Sequence, residues 1–312
     1  MTTARISDVV PVVASALGLP VELTEGRDYG MFVRVGEGNL GTVYAALRHG
    51  DGRRVAIKVV ETVALARRSG VAELEIVDRV RTEAGVLRRL QHPNIMRLFG
   101  EAVSATHAWL VLEFIDGETL RDRLDRVGQL APRRALRRVA ELASAMRCWH
   151  EEGLLHRDLK PANLMLEART DRLVVIDFGI ACDREVVAAG SQTQSGRVLG
   201  SPEYMAPEQC RGLALSEGVD IYAAGAILYE LLTGRPPFVG ASPGEVMQQH
   251  VTAFPVELRR ANPALRALPD VDELDAMVQR CLDKSPSSRY PSAHALESAI
   301  RALLDRMEQG GE

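Results

Sequence analysis

A chain of 312 residues can hold one large domain or two lobes around a substantial core, and 46% hydrophobic with 26% charged residues is a globular composition. A net charge of -4 gives no electrostatic case for nucleic acid or for a membrane surface. Cys148, Cys182, Cys210 and Cys281 are dispersed and form no CxxC pair. That argues against zinc and a disulfide framework and fits a reducing cytoplasm, and no apolar run reaches the about 18 residues of a membrane span.

In chain order, Ser7 as an N-cap, an apolar stretch from Val9 to Leu17 and Gly18 as a stop predict a short helix in an N-terminal extension over 1–28. Asp8, Pro11, Glu22 and Glu25 make that stretch a poor signal peptide. Tyr29 to Val60 reads as short strands broken by glycine and charged turns, with His49-Gly50-Asp51-Gly52 as a hairpin turn. Val71 to Leu90 has helical periodicity, with Val77, Val80, Val86, Leu87 and Leu90 available for one buried face. Gly85 inside it costs about 1 kcal/mol against alanine. Met96 to Phe99 and Ala108 to Phe114 read as strands. From Leu120 onward helices dominate, over 135–152, 219–232, 242–252, 271–283 and 292–307.

Strands first and helices afterwards predict an α+β chain in two lobes. The expected divisions are a β-rich N-lobe over 29–114, a hinge at 113–117, a mainly helical C-lobe over 118–305 and a polar tail over 306–312. Arg133, Arg134, Arg137 and Arg138, clustered at a helix start, read as a solvated face rather than a docking patch. Cys182 reads as a plain apolar cysteine rather than a redox switch.

Four motifs carry chemistry. Gly36-Glu37-Gly38-Asn39-Leu40-Gly41-Thr42-Val43 lies between two strand-like runs, so it lacks the helix N-terminus that a Rossmann turn requires. Its glycines let backbone amides approach phosphates with no Cβ in the way. Val55-Ala56-Ile57-Lys58 ends an alternating strand on a lysine that points inward and needs an anion. His156-Arg157-Asp158-Leu159-Lys160-Pro161-Ala162-Asn163 and Asp177-Phe178-Gly179 offer the hard oxygens that Mg²⁺ prefers.

In this order, and followed by Ala206-Pro207-Glu208, the four motifs resemble the protein-kinase family from end to end. The chain looks like a bacterial eukaryotic-like Ser/Thr protein kinase, with the kinase domain over 29–305 in a bilobal protein-kinase-like fold. The resemblance implies ATP and Mg²⁺ as cofactors, Mn²⁺ being a substitute metal, and transfer of the γ-phosphoryl group to Ser/Thr hydroxyls of protein substrates. It assigns Val35, Gly36, Glu37, Gly38 and Gly41 to the phosphate loop, with Val43 and Ala56 above the adenine and Met165 below it. Leu112 falls at the gatekeeper position, and the backbone of Glu113 and Ile115 would bond the adenine. Lys58 would take the α- and β-phosphates and be held by a helix glutamate. Glu83 has the family's usual interval before His92-Pro93-Asn94-Ile95; because the gap from Lys58 is longer than usual, Glu73 and Glu75 are alternatives. Asp158 would accept or orient the substrate hydroxyl proton, Lys160 would neutralise the γ-phosphoryl, and Asn163 and Asp177 would bind metal.

Asp-Leu-Lys-Pro-x-Asn resembles Ser/Thr rather than tyrosine kinases, and Ser201 stands where threonine usually contacts Asp158 and Lys160. The resemblance also pairs Glu208 with Arg289, gives Asp220 the backbone of the catalytic loop, and stacks Leu87, Leu98, His156 and Phe178. Arg157 beside Asp158 implies a phosphate on the activation loop, among Ser191, Thr193, Ser195 and Ser201, with Thr193 or Ser195 preferred. Autophosphorylation there would involve a transient homodimer. Two other classes compete. A pseudokinase scaffold is disfavoured by intact Lys58, Asp158, Asn163 and Asp177. A small-molecule phosphotransferase is disfavoured by Ala206-Pro207-Glu208 and Arg289.

Overall fold

Alternating apolar residues build the stretch from Tyr29 to Glu113 into a five-stranded antiparallel sheet, β1 (Tyr29–Glu37), β2 (Thr42–Arg48), β3 (Arg54–Glu61), β4 (Leu98–Val103) and β5 (His107–Glu113), in the order β1-β2-β3-β5-β4. The computed structural model describes residues 19–20, 23, 28–37, 41–178, 182–183 and 201–309, the backbone alone at 182–183. The chain divides into two compact units, one running up to Gln91 and over Met96–Asp116, the other formed by His92–Ile95 and everything from Gly117 onward.

The pleat of the sheet sorts its side chains. Ile57 and Val59 of β3 stand opposite Val111 and Trp109 of β5, while Ala56 and Lys58 stand opposite Leu112 and Leu110. The first set, with Phe32, Tyr44, Ala46 and Val55, forms one buried cluster that also contains Leu19 and Leu23. The predicted helix over 7–18 lies outside the described residues, yet two leucines just beyond it cover one face of this sheet. The opposite face carries Lys58.

After β3 come α1 (Thr62–Ser69) and α2 (Glu73–Arg89). Only α2 is legible as a helix in the sequence. It begins with Glu73 and Glu75, ends with Arg88 and Arg89, and so complements its own dipole. Its buried face carries Ile76, Val77, Val80, Glu83, Ala84, Val86 and Leu87. Strand β4 begins at Leu98 and runs on to Val103, past the Met96–Phe99 expected, because Gly100, Glu101, Ala102 and Val103 pair with β5 across a bulge.

The second unit opens with β6 (Gly117–Thr119), α3 (Leu120–Val127) and α4 (Pro132–Glu151), followed by β7 (Leu154–Leu155), β8 (Leu164–Glu167) and β9 (Leu173–Val175). A capping box starts α3: the Thr119 side chain accepts from the Asp122 amide and Asp122 reciprocates. β6, β8 and β9 make a small sheet, and β7 pairs with β10 (Cys182–Asp183). Then come α5 (Pro207–Cys210), α6 (Gly218–Thr233), α7 (Pro243–Thr252), α8 (Leu258–Ala261), α9 (Val271–Cys281) and α10 (Ala293–Gln309). Every residue of α6 from Gly218 to Leu232 is buried, as expected of a helix apolar on all sides. α10 runs to Gln309, beyond the start expected for the tail at 306, because Leu303, Leu304 and Met307 continue its buried face. Among the described residues no helix is long and apolar enough to cross a membrane.

Candidate active site

In the β-rich unit the candidate residues centre on a buried ion pair. Lys58 Nζ donates to both carboxylate oxygens of Glu83 at 2.8 Å. The side chains are 13% and 1% exposed, so either charge alone would be poorly solvated. The two alternative glutamates are engaged elsewhere. Glu73 accepts from Thr62 Oγ1 at 2.9 Å, and Glu75 pairs with Arg79 on the exposed surface at 2.6 Å. The unusual length between Lys58 and Glu83 is absorbed by α1, which packs against β3, β5 and α2 and leaves the ion pair in place.

Strand register puts Val43 opposite Lys58 and Ala56 opposite Leu112, so these four share one face of the sheet. The glycines of the loop differ in what they do. A Cβ on Gly41 would lie 2.2 Å from the Val59 carbonyl oxygen, so close approach of two strands demands glycine there. Among the described residues a Cβ on Gly36 would meet nothing within 4 Å, so their packing does not call for glycine at that position. Val35, Gly36 and Glu37 are exposed on β1, and Gly38 lies outside the described residues. Glu113 donates its amide to the Arg97 carbonyl at 2.8 Å, and Ile115 is buried.

In the helical unit the loop from His156 to Asn163 is shaped by one carboxylate. Asp220, at the start of α6, accepts the His156 amide on Oδ2 and the Arg157 amide on Oδ1, both at 3.0 Å. Trp149 Nε1 and His150 Nε2 also reach Oδ2 at 2.9 Å. Burial pushes the Asp220 carboxyl up, but the bond and charge of His150 and the contacts of His156 outweigh it and bring it down to about 2. These bonds also hold Arg157 at a φ of 67°, a left-handed conformation that a non-glycine residue keeps only when its surroundings impose it.

Asp158, Lys160, Asn163 and Ser201 interlock. Lys160 Nζ donates to Asp158 Oδ2 at 2.7 Å and to Ser201 Oγ at 2.9 Å. The Ser201 amide donates to Asp158 Oδ1 at 2.9 Å. Asn163 Nδ2 donates to the Asp158 carbonyl at 2.9 Å and contacts its Oδ2 at 3.4 Å, which leaves the carboxamide oxygen as the end for a cation. Asp177 and Phe178 follow β9. Phe178 is 1% exposed, with its ring 4.9 Å from His156 and 5.6 Å from Trp149. Met165, on β8 opposite Thr119, is half-buried.

The segment after Ser201 is tied down in three places. Arg289 and Glu208 form a two-bonded pair at 2.7 and 2.8 Å, both buried. Tyr204 donates to Glu230 at 2.6 Å, and Arg121 reaches the same carboxylate at 2.6 Å. Gln209 accepts from the Ala206 amide and donates to the Arg157 carbonyl, both at 3.1 Å, linking this segment to the loop that carries Asp158. The Tyr204 and Gln209 contacts escaped the sequence, where a tyrosine and a glutamine beside known motifs carry no signal of their partners.

Of the four clustered arginines, Arg133, Arg134 and Arg137 are exposed, as expected of a solvated face, and Arg138 departs from that expectation. Arg133 and Arg137 share Glu308 of α10 at 2.8 and 3.1 Å, Arg134 makes a two-bonded pair with Asp171, and Arg138 is buried beside Glu141 at 3.1 Å. The cluster binds α4 to its neighbours. Ser191, Thr193 and Ser195, and the Cys182 side chain, lie outside the described residues.

Residues 29–300 match the family model described as protein kinase domain. The serine/threonine-protein kinase pkn2 of Myxococcus xanthus is 40% identical over 270 residues, which cover 86% of this chain and 31% of that protein. Serine/threonine-protein kinase PknB of Mycobacterium tuberculosis is 36% identical over 296 residues, covering 93% of this chain and 44% of its own length. Serine/threonine-protein kinase PkaA of Streptomyces coelicolor is 37% identical over 287 residues, covering 90% and 50%. The chain thus spans between about a third and a half of the length of these relatives.

Proposed function

Because the chain belongs to the protein kinase family, we propose that it is an ATP- and Mg²⁺-dependent protein kinase that phosphorylates serine and threonine hydroxyls of protein substrates. The observation that carries this reading is the interlock of Asp158, Lys160, Asn163 and Ser201, in which a carboxylate, a cation, a hydroxyl and a carboxamide N–H converge within hydrogen-bond reach.

The residues fit the cofactors. Gly36 leaves its backbone open to a phosphate that would bind there, and Lys58 is a cation held in place by Glu83. Val43, Ala56 and Leu112 offer apolar surface on the same face, and the carbonyl of Glu113 with the backbone of Ile115 would bond an adenine. When bound, ATP supplies the phosphoryl group and the metal neutralises charge on its oxygens. Asn163 and Asp177 would hold the metal, a hard oxygen set that suits Mg²⁺ and also accepts Mn²⁺. Asp158 orients the acceptor hydroxyl and takes its proton. Lys160 sits where it stabilises negative charge developing beside Asp158, already aligned by Ser201.

The relatives carry serine/threonine kinase names, and Lys160 with Ser201 supports that acceptor class here. The pairing of Glu208 with Arg289 supports a protein substrate over a small molecule, because it anchors the segment against which a peptide would lie. Arg157 Nε is buried with no hydrogen-bond partner among the described residues. That supports a phosphate on the activation loop, at Thr193 or Ser195, placed there by a second copy in a transient homodimer. Dispersed cysteines with no CxxC pair are in keeping with a cytoplasmic setting.

The test is phosphotransfer from [γ-³²P]ATP to a generic basic protein, with Asp158→Asn as the control. Mg²⁺-dependent label on serine or threonine that falls at least about 10²-fold in the variant is expected. Equal incorporation by both proteins would refute the assignment.

A further inference from the structure

One aromatic side chain beside the site belongs to none of the motifs. Trp149, on α4, is fully buried. Its indole donates to Asp220 Oδ2 at 2.9 Å, the same oxygen that accepts the His156 amide at 3.0 Å. The ring lies 5.6 Å from His156, and it meets Phe178 edge-on at 81° and 5.6 Å. His156 stands two residues before Asp158, and Phe178 directly follows Asp177. A single rigid side chain therefore touches both segments that carry the carboxylates of the site. Its N–H bond matters for orientation. An untethered ring of similar size could turn within its slot, whereas an indole bonded to a buried carboxylate keeps one edge toward Phe178.

We propose that Trp149 is a positioning residue for phosphoryl transfer: tethered by Asp220, its indole is the seat on which Phe178 rests, and it thereby sets where the Asp177 carboxylate stands relative to Asp158. This role rests on the kinase reading above. Asp220 keeps three other donors when Trp149 is replaced, namely His150 Nε2 and the amides of His156 and Arg157, so the backbone anchor of the loop survives while the ring contacts with Phe178 and His156 change. Lys58 and Glu83 lie in the other unit and are untouched.

Two full-length variants separate the parts of the argument. Trp149→Phe keeps an aromatic ring and loses the tether; Trp149→Leu loses both. Trp149→Leu is expected to lower kcat by about tenfold or more, with the KM for ATP within about twofold and assays run well below its melting temperature, and Trp149→Phe to fall between it and wild type. A second readout does not depend on activity. In a Trp109→Phe background Trp149 is the sole indole, and Phe178→Leu is expected to change its emission. Wild-type kcat in folded Trp149→Leu overturns the proposal. If Trp149→Leu does not fold, wild-type kcat in Trp149→Phe together with emission indifferent to Phe178→Leu overturns it equally. If the wild-type protein transfers no phosphate at all, the kinase reading fails, and the emission experiment alone decides whether Trp149 seats Phe178.

Discussion

Replacing each of three glutamates on α2 by glutamine tests which of them answers Lys58. Glu83→Gln removes the charge from a carboxylate whose two oxygens both lie 2.8 Å from Lys58 Nζ. Breaking a buried ion pair costs about 3–5 kcal/mol, because the remaining charge is stranded. Lys58 keeps 13% exposure, so the lower figure, about 3 kcal/mol, applies to stability. If the same energy is lost in placing the ammonium, the rate falls about 10²-fold, at about 1.4 kcal/mol per tenfold. Glu73→Gln and Glu75→Gln are controls: one glutamate caps a threonine hydroxyl, the other pairs with an exposed arginine, and each variant should keep activity within about threefold. Initial rates with [γ-³²P]ATP and urea denaturation on the same preparations supply both numbers. Near wild-type kcat/KM in Glu83→Gln, or a larger loss in either control, would refute the assignment of Glu83.

Asp177→Asn should abolish Mg²⁺-dependent transfer while leaving the unfolding midpoint close to wild type, since an amide offers one neutral oxygen where the metal needs a charged one; activity surviving at ordinary Mg²⁺ would exclude Asp177 as a ligand. Leu23→Ala should destabilise the β-rich unit by about 2–5 kcal/mol, because Leu23 is 2% exposed within the cluster that contains Trp109. Denaturation followed by tryptophan emission checks this, and a loss below about 0.5 kcal/mol would show that the segment does not hold the sheet. His250, buried against Phe238 and Tyr222 and near the Lys284 cation and the backbone of Pro202 and Glu203, is pushed down to about 4, first by burial and then by that cation. Its folded value lies below the unfolded one, so its contribution is intact above pH 6.5 and is lost as pH falls toward 4, amounting to about 3 kcal/mol. Unfolding free energies measured between pH 7 and 4.5 should therefore decline less steeply in His250→Asn than in wild type, and parallel slopes would exclude His250 as the source.

Local pattern carried a large part of this protein. Alternation in Val55-Ala56-Ile57-Lys58 is enough to put Lys58 on the inward face of a strand, because the pleat has a period of two residues wherever the strand sits. The order of the four motifs is likewise a property of the chain alone, as is the helical periodicity of Val71 to Leu90. The choice among Glu73, Glu75 and Glu83 is not local. All three lie on α2, and the one that meets Lys58 is set by the rotation of that helix against β4 and β5 and by α1, whose folding absorbs the extra length before it. The arginines of α4 make the same point from the opposite direction. Their spacing is that of a solvated face, and Arg134 and Arg137 are exposed, but the spacing does not name the carboxylates they meet: Arg134 finds Asp171 and Arg137 finds Glu308, 37 and 171 positions away. Trp149 is apolar helix filling in the sequence and a bonded neighbour of Asp220 and Phe178 in the fold. Periodicity records which way a side chain points; what waits there depends on packing between elements far apart in the chain, and only the tertiary structure decides that.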